Sequence, residues 1–300
     1  MSAPPRVHPG NGDNNGVTVS VIGAGRVGTA LAVALAAAGY GVVAVSTVSH
    51  RDRVGRLLPG TPVLPPDEAA VGEIVIIAVP DDVLAGLVRG LAAAGAFRPG
   101  QFVVHTSGAH GLAPLEPAAE QGAETAAVHP VMTFTGEGGE TRDVTFGVTA
   151  EGAPARRRAA RLVADLGGIP EWIAEPDRTL YHAALAHGAN HLVTLVNEAR
   201  DRLRDAGVRD PERVLRPLLQ AALDNSLALG DAALTGPVSR GDAGTVAGHL
   251  AALGATAPGS VPPYLALARR TADRAIAAGR LRPADAVPLL EVLETAKERV

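Results

Sequence analysis

The chain has 300 residues, 47% of them hydrophobic, with 35 Gly, 23 Pro and 3% aromatics, which is enough for two ordinary domains with buried cores. It has no cysteine, 26 arginines and a single lysine, Lys297, so disulfides, thiolate metal sites and cysteine nucleophiles are excluded, Schiff-base or acid chemistry is not expected of a lysine that is the fourth residue from the end, and no metal centre is expected. The net charge is −4 and the one basic block, Arg156-Arg157-Arg158, reads as a solvated helix face, so nucleic acid is not an expected partner.

Residues 1–16 are rich in Pro, Gly and Asn without an apolar core and read as a disordered leader, not a secretion signal, which points to a cytoplasmic chain. The most apolar long run, Ala30 to Val45, is interrupted by Gly39 and Gly41 and is too short for a membrane helix. Val17 to Ile22 reads as a strand, Gly23 to Gly28 as a tight turn, and Thr29 to Ala38 as a helix stopped at Gly39. Further buried strands are predicted at Val42 to Val45, Ile74 to Val79, Phe102 to His105, Thr125 to Val128 and Thr145 to Thr149. A helix from Ala153 to Leu166 and a short strand near Glu171 to Ala174 follow. Helical stretches between several of the strands predict an α/β domain with a largely parallel sheet over residues 17–175. Beyond Pro176 the pattern is helical only. One long helix is predicted over Asp177 to Ala206, with Asp177 as N-cap and Gly207 as stop. A second begins at Asp210-Pro211, a third is capped by Asp242, and two more cover Pro263 to Ala278 and Pro283 to Arg299. Residues 176–300 therefore read as an all-helical domain for substrate binding and dimerisation.

Gly23-Ala24-Gly25-Arg26-Val27-Gly28 matches G-x-G-x-x-G between a predicted strand and a predicted helix, the context of a Rossmann dinucleotide site. Gly23 permits the tight turn, Gly25 lets the backbone approach a pyrophosphate, and Gly28 allows close helix–strand packing. The pyrophosphate would lie on the helix N-terminus, where free N–H groups and the dipole favour an anion. An NAD site places an acid near the end of the second strand, whereas here the run is Ser46-Thr47-Val48-Ser49-His50-Arg51. Hydroxyls followed by a basic pair suit a 2′-phosphate, so NADP is the expected cofactor, held by Ser46, Ser49, His50 and Arg51.

A nicotinamide enzyme acting on C=O or C=N needs a proton donor, and with lysine removed histidine is the natural replacement. His105 and His129-Pro130 stand at the carboxyl ends of predicted strands, where ligands of open α/β sheets bind, and Ser107 and His110 follow His105. For each histidine a satisfied turn or core role remains the alternative, and Ser107 can equally form a local turn. On the long helix, His187, Asn190, Thr194 and Asn197 fall in one polar, uncharged stripe at 100° per residue, which suits a cleft wall or a polar helix–helix contact. Tyr181 and His182 lie off that stripe and read as packing residues. Arg240 could clamp a carboxylate, while Asp242 beside it reads more strongly as a helix cap.

The segments Val21 to Gly28, Ile76 to Asp81, Val104 to Gly108, Val128 to Phe134 and Thr235 to Leu250 resemble a family of Rossmann-like NADP oxidoreductases whose C-terminal half is a helical domain of unknown function, within the 6-phosphogluconate-dehydrogenase-like superfamily. The resemblance spans Val17 to Val300. It implies NADP binding, with Val79 and Pro80 at the cofactor, and a cleft between the domains. Ketopantoate reductases and β-hydroxyacid dehydrogenases in this superfamily rely on a lysine that this chain lacks. Prephenate and arogenate dehydrogenases use a histidine in a His-Pro segment and a preceding serine, and Ser107 with His129-Pro130 is similar in order and approximate spacing. The glycine and lysine context around that serine is absent.

Together these readings predict an NADP-dependent oxidoreductase for a small carboxylated oxo, hydroxy or imino compound. His129 would be the acid/base, Ser107 and Asn190 would support catalysis, and His105, His187 and Arg240 would bind substrate. A ketopantoate-type reductase with a non-lysine donor and a non-catalytic NADP-binding metabolite sensor are the alternatives. A homodimer through helices 211–229 and 263–278 is expected, with no membrane partner.

Overall fold

The computed structural model describes residues 16–134 and 141–298. The leader expected over residues 1–16 therefore lies, up to residue 15, outside the described residues, as does Arg299 of the last predicted helix. The chain divides into two compact units, Met1–His187 and Gly188–Val300.

In the first unit, β1 (Thr18–Ile22), α1 (Arg26–Ala37), β2 (Gly41–Ser46), α2 (Arg51–Leu57), α3 (Pro66–Ala69), β3 (Ile74–Ile77), α4 (Asp81–Ala93) and β4 (Phe102–His105) alternate in chain order. They are followed by α5 (Glu116–Glu120), β5 (Glu124–Pro130), β6 (Thr145–Ala150), α6 (Ala153–Asp165), β7 (Ile169–Trp172) and α7 (Arg178–Leu185). The seven strands form one sheet in the order β2-β1-β3-β4-β5-β6-β7. All neighbours are parallel except β5 and β6, where Ala126 pairs with Ala150 and His129 with Gly147 in antiparallel register.

The strands read as continuous apolar runs because both faces are covered. Val19, Val21, Ile76, Phe102, Val104 and Phe146 pack on one side with Leu31 and Leu35 of α1, Val54 of α2 and Leu162 of α6. Ile22, Val75, Ile77 and Val103 pack on the other with Leu84, Val88 and Leu91 of α4 and Ala118 of α5. Each fully buried aliphatic side chain of this kind stabilises the fold by roughly 1.5–3 kcal/mol. Gly39, at φ 90°, ends α1 as predicted. The Tyr40 hydroxyl at the entry to β2 is 2.6 Å from the Asp165 carboxylate at the end of α6.

The predicted long helix is interrupted. After α7 the backbone forms a π-helical turn over Ala186–Asn190 before α8 (His191–Asp205). A π turn winds fewer degrees per residue than an α turn, so the stripe drawn at a uniform 100° through His187, Asn190, Thr194 and Asn197 does not hold across it. Gly188 in its centre lowers the local α preference. Asp177 occupies the N-cap position of α7 without a side-chain cap bond.

The second unit continues with α9 (Pro211–Leu229), α10 (Gly236–Ser239), α11 (Ala243–Thr256), α12 (Val261–Ala277) and α13 (Pro283–Lys297). Asp210 caps α9 through the Arg213 amide at 3.1 Å, and Asp242 caps α11 through the Thr245 amide at 3.0 Å, as their spacing predicts. Val246, Leu250, Val261, Leu265, Leu289 and Leu293 form the core of this unit. α8 buries no residue, and α9 buries only Pro211 and Leu215. Lys297, in the last turn of α13, pairs with Glu294 at 3.6 Å and is largely exposed. No helix among the described residues is long and apolar enough to cross a membrane.

Candidate functional site

Sheet register assembles the site. Ser46, Ile22, Ile77, His105 and Ala127 lie in one row across the carboxyl edge of the parallel strands. Two residues beyond that row come Ala24, Val79 and Ser107, in the segments that leave the sheet, and His129, which is still paired with Gly147 of β6.

The loop after β1 shows three different reasons for glycine. Gly23 has φ 92°, and a Cβ there would lie 2.5 Å from the Ala78 carbonyl oxygen. A Cβ on Gly28 would run into the Gly23 carbonyl oxygen, while one on Gly25 would meet nothing within 4 Å. Packing therefore explains Gly23 and Gly28 and leaves Gly25 unexplained by any neighbour among the described residues. The loop is anchored by the Gly23 and Ala24 amides, which donate to the Ser46 carbonyl at 2.9 and 2.8 Å. The buried Thr29 hydroxyl also donates to the Ala24 carbonyl at 3.0 Å, a contact sequence reasoning did not single out. Gly25 is the N-cap of α1 with no side-chain cap and no acidic residue in the first turn. The first amides of the helix, from Arg26, Val27 and Gly28, thus face an uncapped end that favours an anion. A dinucleotide pyrophosphate fits this cradle.

Ser46 is buried at the end of β2 and gives its carbonyl to the glycine loop. Beyond it Val48 is 98% exposed, Ser49 is exposed, His50 is half-buried at the N-cap of α2, and Arg51 is exposed at the first helical position. Val79 and Pro80 leave β3, with Pro80 as the N-cap of α4.

The two strand-end histidines have different surroundings. His105 is fully buried and uses both ring nitrogens inside the protein: Nε2 lies 2.7 Å from the Gly111 carbonyl oxygen, and Nδ1 accepts from the Ser107 amide at 3.1 Å. This fixes the neutral Nε2–H tautomer, and burial lowers its pKa to about 4. His105 holds its own loop in place, with both ring nitrogens bonded inside the protein. Ser107 is also buried, and its Oγ accepts from the His110 amide at 3.1 Å, the local turn that its residue type allows.

His129 is half-buried, and its ring is bonded at Nδ1, 2.9 Å from the Tyr181 hydroxyl. The rings of Tyr181 and His182 stand edge-on to it at 5.8 and 6.1 Å between centroids. Gly108 makes the fit possible, since a Cβ there would lie 2.7 Å from His182 Cδ2 and 3.0 Å from His129 Nε2. Gly147, paired with His129 across β5 and β6, leaves the room that the Tyr181 hydroxyl occupies. Burial, helped by Arg178 and His182, lowers the His129 pKa to about 4, so at neutral pH it is uncharged. It can donate or accept a hydrogen bond or act as a weak base, but it is not a charged acid in waiting.

Arg178 is the organising residue that sequence reasoning missed. It is 1% exposed, and its guanidinium donates to the carbonyls of Ser107 (2.7 Å), His110 (3.0 Å) and Gly147 (3.0 Å). It thus ties the β4 exit loop to β6 and seats α7 on the edge of the sheet. A usable signal lay in Arg178, Tyr181 and His182 at i, i+3 and i+4, one polar helix face.

His187 is exposed in the π turn, and Asn190 is its last, exposed residue. In the second unit, Arg240 is exposed as the C-cap of α10. Asn197 accepts from Arg200 at 2.9 Å, within an ion-pair network that includes Glu212, so it belongs to a surface cluster.

Comparison with known proteins agrees with this architecture. A family described as a Rossmann-like domain matches residues 3–130, and a domain of unknown function (DUF2520) matches residues 144–271. No curated protein matches. Among solved structures, a proposed NADP oxidoreductase from Bacteroides fragilis is similar at 20% identity and TM-score 0.76, over 87% of this chain and 100% of that one. A protein from Thermotoga maritima is similar at 19% identity and TM-score 0.63, over 87% and 99%. The pyrroline carboxylate reductase of Plasmodium falciparum with NADP bound is similar at 13% identity and TM-score 0.57, over 91% and 99%. The shared property is the fold: an α/β Rossmann-like domain followed by an all-helical one.

Proposed function

We propose that the chain is an NADP-dependent oxidoreductase acting on a small carboxylated oxo, hydroxy or imino compound. The observation that carries this reading is Gly25, a position with open space for a side chain at an uncapped helix end, between two glycines that packing demands. A backbone-hugging anion accounts for it. Residues 23–28 would hold the pyrophosphate, Ser46, Ser49, His50 and Arg51 the adenosine ribose and its 2′-phosphate, and Val79 with Pro80 the nicotinamide side. Bound NADPH would supply hydride. His129 would hydrogen-bond the reacting oxygen or nitrogen, and Ser107 would orient the loop beside it. On sequence grounds alone, Asn190 is proposed to support catalysis, and His187 and Arg240 to bind substrate. The Plasmodium falciparum protein lends support through its cofactor and its carboxylated, imino type of substrate.

The test is a fluorescence titration with NADPH and NADH, followed by stopped-flow oxidation of bound NADPH across 2-oxoacids and cyclic imines. Oxidation by at least one compound is expected; tight binding with none would favour a metabolite sensor instead. Arg51→Ala should weaken NADPH binding by about 10-fold or more, the value of a charge-assisted contact, and leave NADH binding nearly unchanged. Equal losses for both nucleotides would overturn the NADP preference.

A homodimer forms part of the same proposal. Leu192, Val193 and Leu195 of α8 and Leu218, Leu223 and Leu227 of α9 are exposed, Leu227 to 80%. Aliphatic surface of this extent is costly in water and typical of an interface.

A further inference from the structure

His129 is bonded at one ring nitrogen only. Nδ1 meets the Tyr181 hydroxyl at 2.9 Å, and among the described residues Nε2 has no hydrogen-bond partner. Gly108, itself buried, packs close to Nε2, and a side chain there would come within 3.0 Å of it. The pair can share its protons in two ways. If Nδ1 carried the proton and donated to the phenol oxygen, the phenol proton would have no acceptor among the described residues. If the phenol donates to Nδ1, the phenol proton is taken up, and the proton left without a partner among the described residues is the imidazole's, on Nε2, where a ligand can accept it.

A phenol gives up its proton far more readily than a neutral imidazole N–H, which favours the second arrangement. Burial raises the Tyr181 pKa, and the Arg178 guanidinium, whose carbon sits 5.6 Å from the ring centre, opposes that shift only in part. The charged and titratable groups that bear on His129 are Arg178 and His182 of α7, His105 of β4 and Asp81 of α4. Only Asp81 favours an imidazolium. The ring is therefore neutral near pH 7, and which nitrogen bears the proton decides what it can do.

We propose that Tyr181 is a positioning residue for the reaction proposed above: its hydroxyl donates to Nδ1 of His129 and so presents a neutral imidazole with Nε2–H as hydrogen-bond donor to a carbonyl oxygen or imine nitrogen of the substrate. The identity of that acceptor rests on the oxidoreductase reading; the tautomer does not. His129 then polarises a substrate acceptor as a fixed neutral donor.

The experiment is long-range ¹H–¹⁵N NMR of the full chain with ¹⁵N-labelled histidines, His129 being assigned by the signal lost in His129→Gln. In the wild-type chain His129 is expected to show one neutral tautomer, protonated at Nε2, between about pH 6 and 8. Tyr181→Phe should lose that single pattern and give a mixture of both neutral tautomers. A wild-type ring protonated at Nδ1, or charged at pH 7, would overturn the proposal even if Tyr181→Phe failed to fold. So would an unchanged pattern in a folded Tyr181→Phe. NADPH titration of the same samples separates the two ideas: an intact Nε2–H pattern in a chain that does not bind NADPH supports the Tyr181–His129 pairing and overturns the oxidoreductase reading.

Discussion

Gly25 and Gly28 differ in what an added methyl group would meet, and this turns a sequence motif into two separable measurements. Gly28→Ala forces a side chain into the Gly23 carbonyl, so it should lower stability by about 1–3 kcal/mol in urea denaturation. Gly25→Ala has room and a φ of −76°, so the fold should keep its stability while NADPH affinity falls by about 10-fold or more. A stable Gly28→Ala, or a Gly25→Ala that binds NADPH normally, would refute the corresponding assignment. The packing of Gly23 and Gly28 was legible in the sequence because strand, turn and helix are contiguous there. His105 and His129 were not distinguishable at that level. Both are histidines at strand ends, and they differ by two residues of register, which places one in the last row of parallel pairing and the other beyond that row, paired with β6.

At the scale of elements, most boundaries followed from apolar runs and caps, and the deviations have local causes. The π turn at Ala186–Asn190 follows no hydrophobic period, and the antiparallel return of β6 beside β5 requires knowing which strands pair. Arg178 escaped notice because its three acceptors lie 31 to 71 residues away in sequence. The ends of β4 and β5 also set a pH response. His105 and His129 have pKa values of about 4 when folded, against an ordinary value of 6.5, so the unfolded chain binds their protons more tightly. Their contribution is complete above about pH 6.5 and is lost as pH falls through about 4, by up to about 3 kcal/mol for each. Urea denaturation at a series of pH values should show this decline, and His129→Gln should flatten part of it. A stability unchanged across that range would contradict the burial of both rings.

For the whole molecule, the division into an α/β unit and a helical unit was evident from the change of pattern near Pro176, although the units separate inside the π turn. How little α8 and α9 bury left no mark on the apolar pattern, because an aliphatic stripe looks the same whether its own chain or a second one covers it. If their aliphatic surface pairs with a second copy, light scattering should report a dimer. Leu218→Glu with Leu227→Glu should convert it to a monomer with unchanged helix content. A wild-type monomer would reject the pairing. The pairing of Lys297 with Glu294 on α13 has a practical side. Because Lys297 is the chain's sole lysine and no thiol competes, an amine-selective dye would mark one side chain, in the helical unit, once the α-amine that the same dye attacks has been blocked. Any cysteine introduced into the α/β unit would take a second dye without ambiguity. The composition thus makes the chain a ready two-colour ruler for distances between its units.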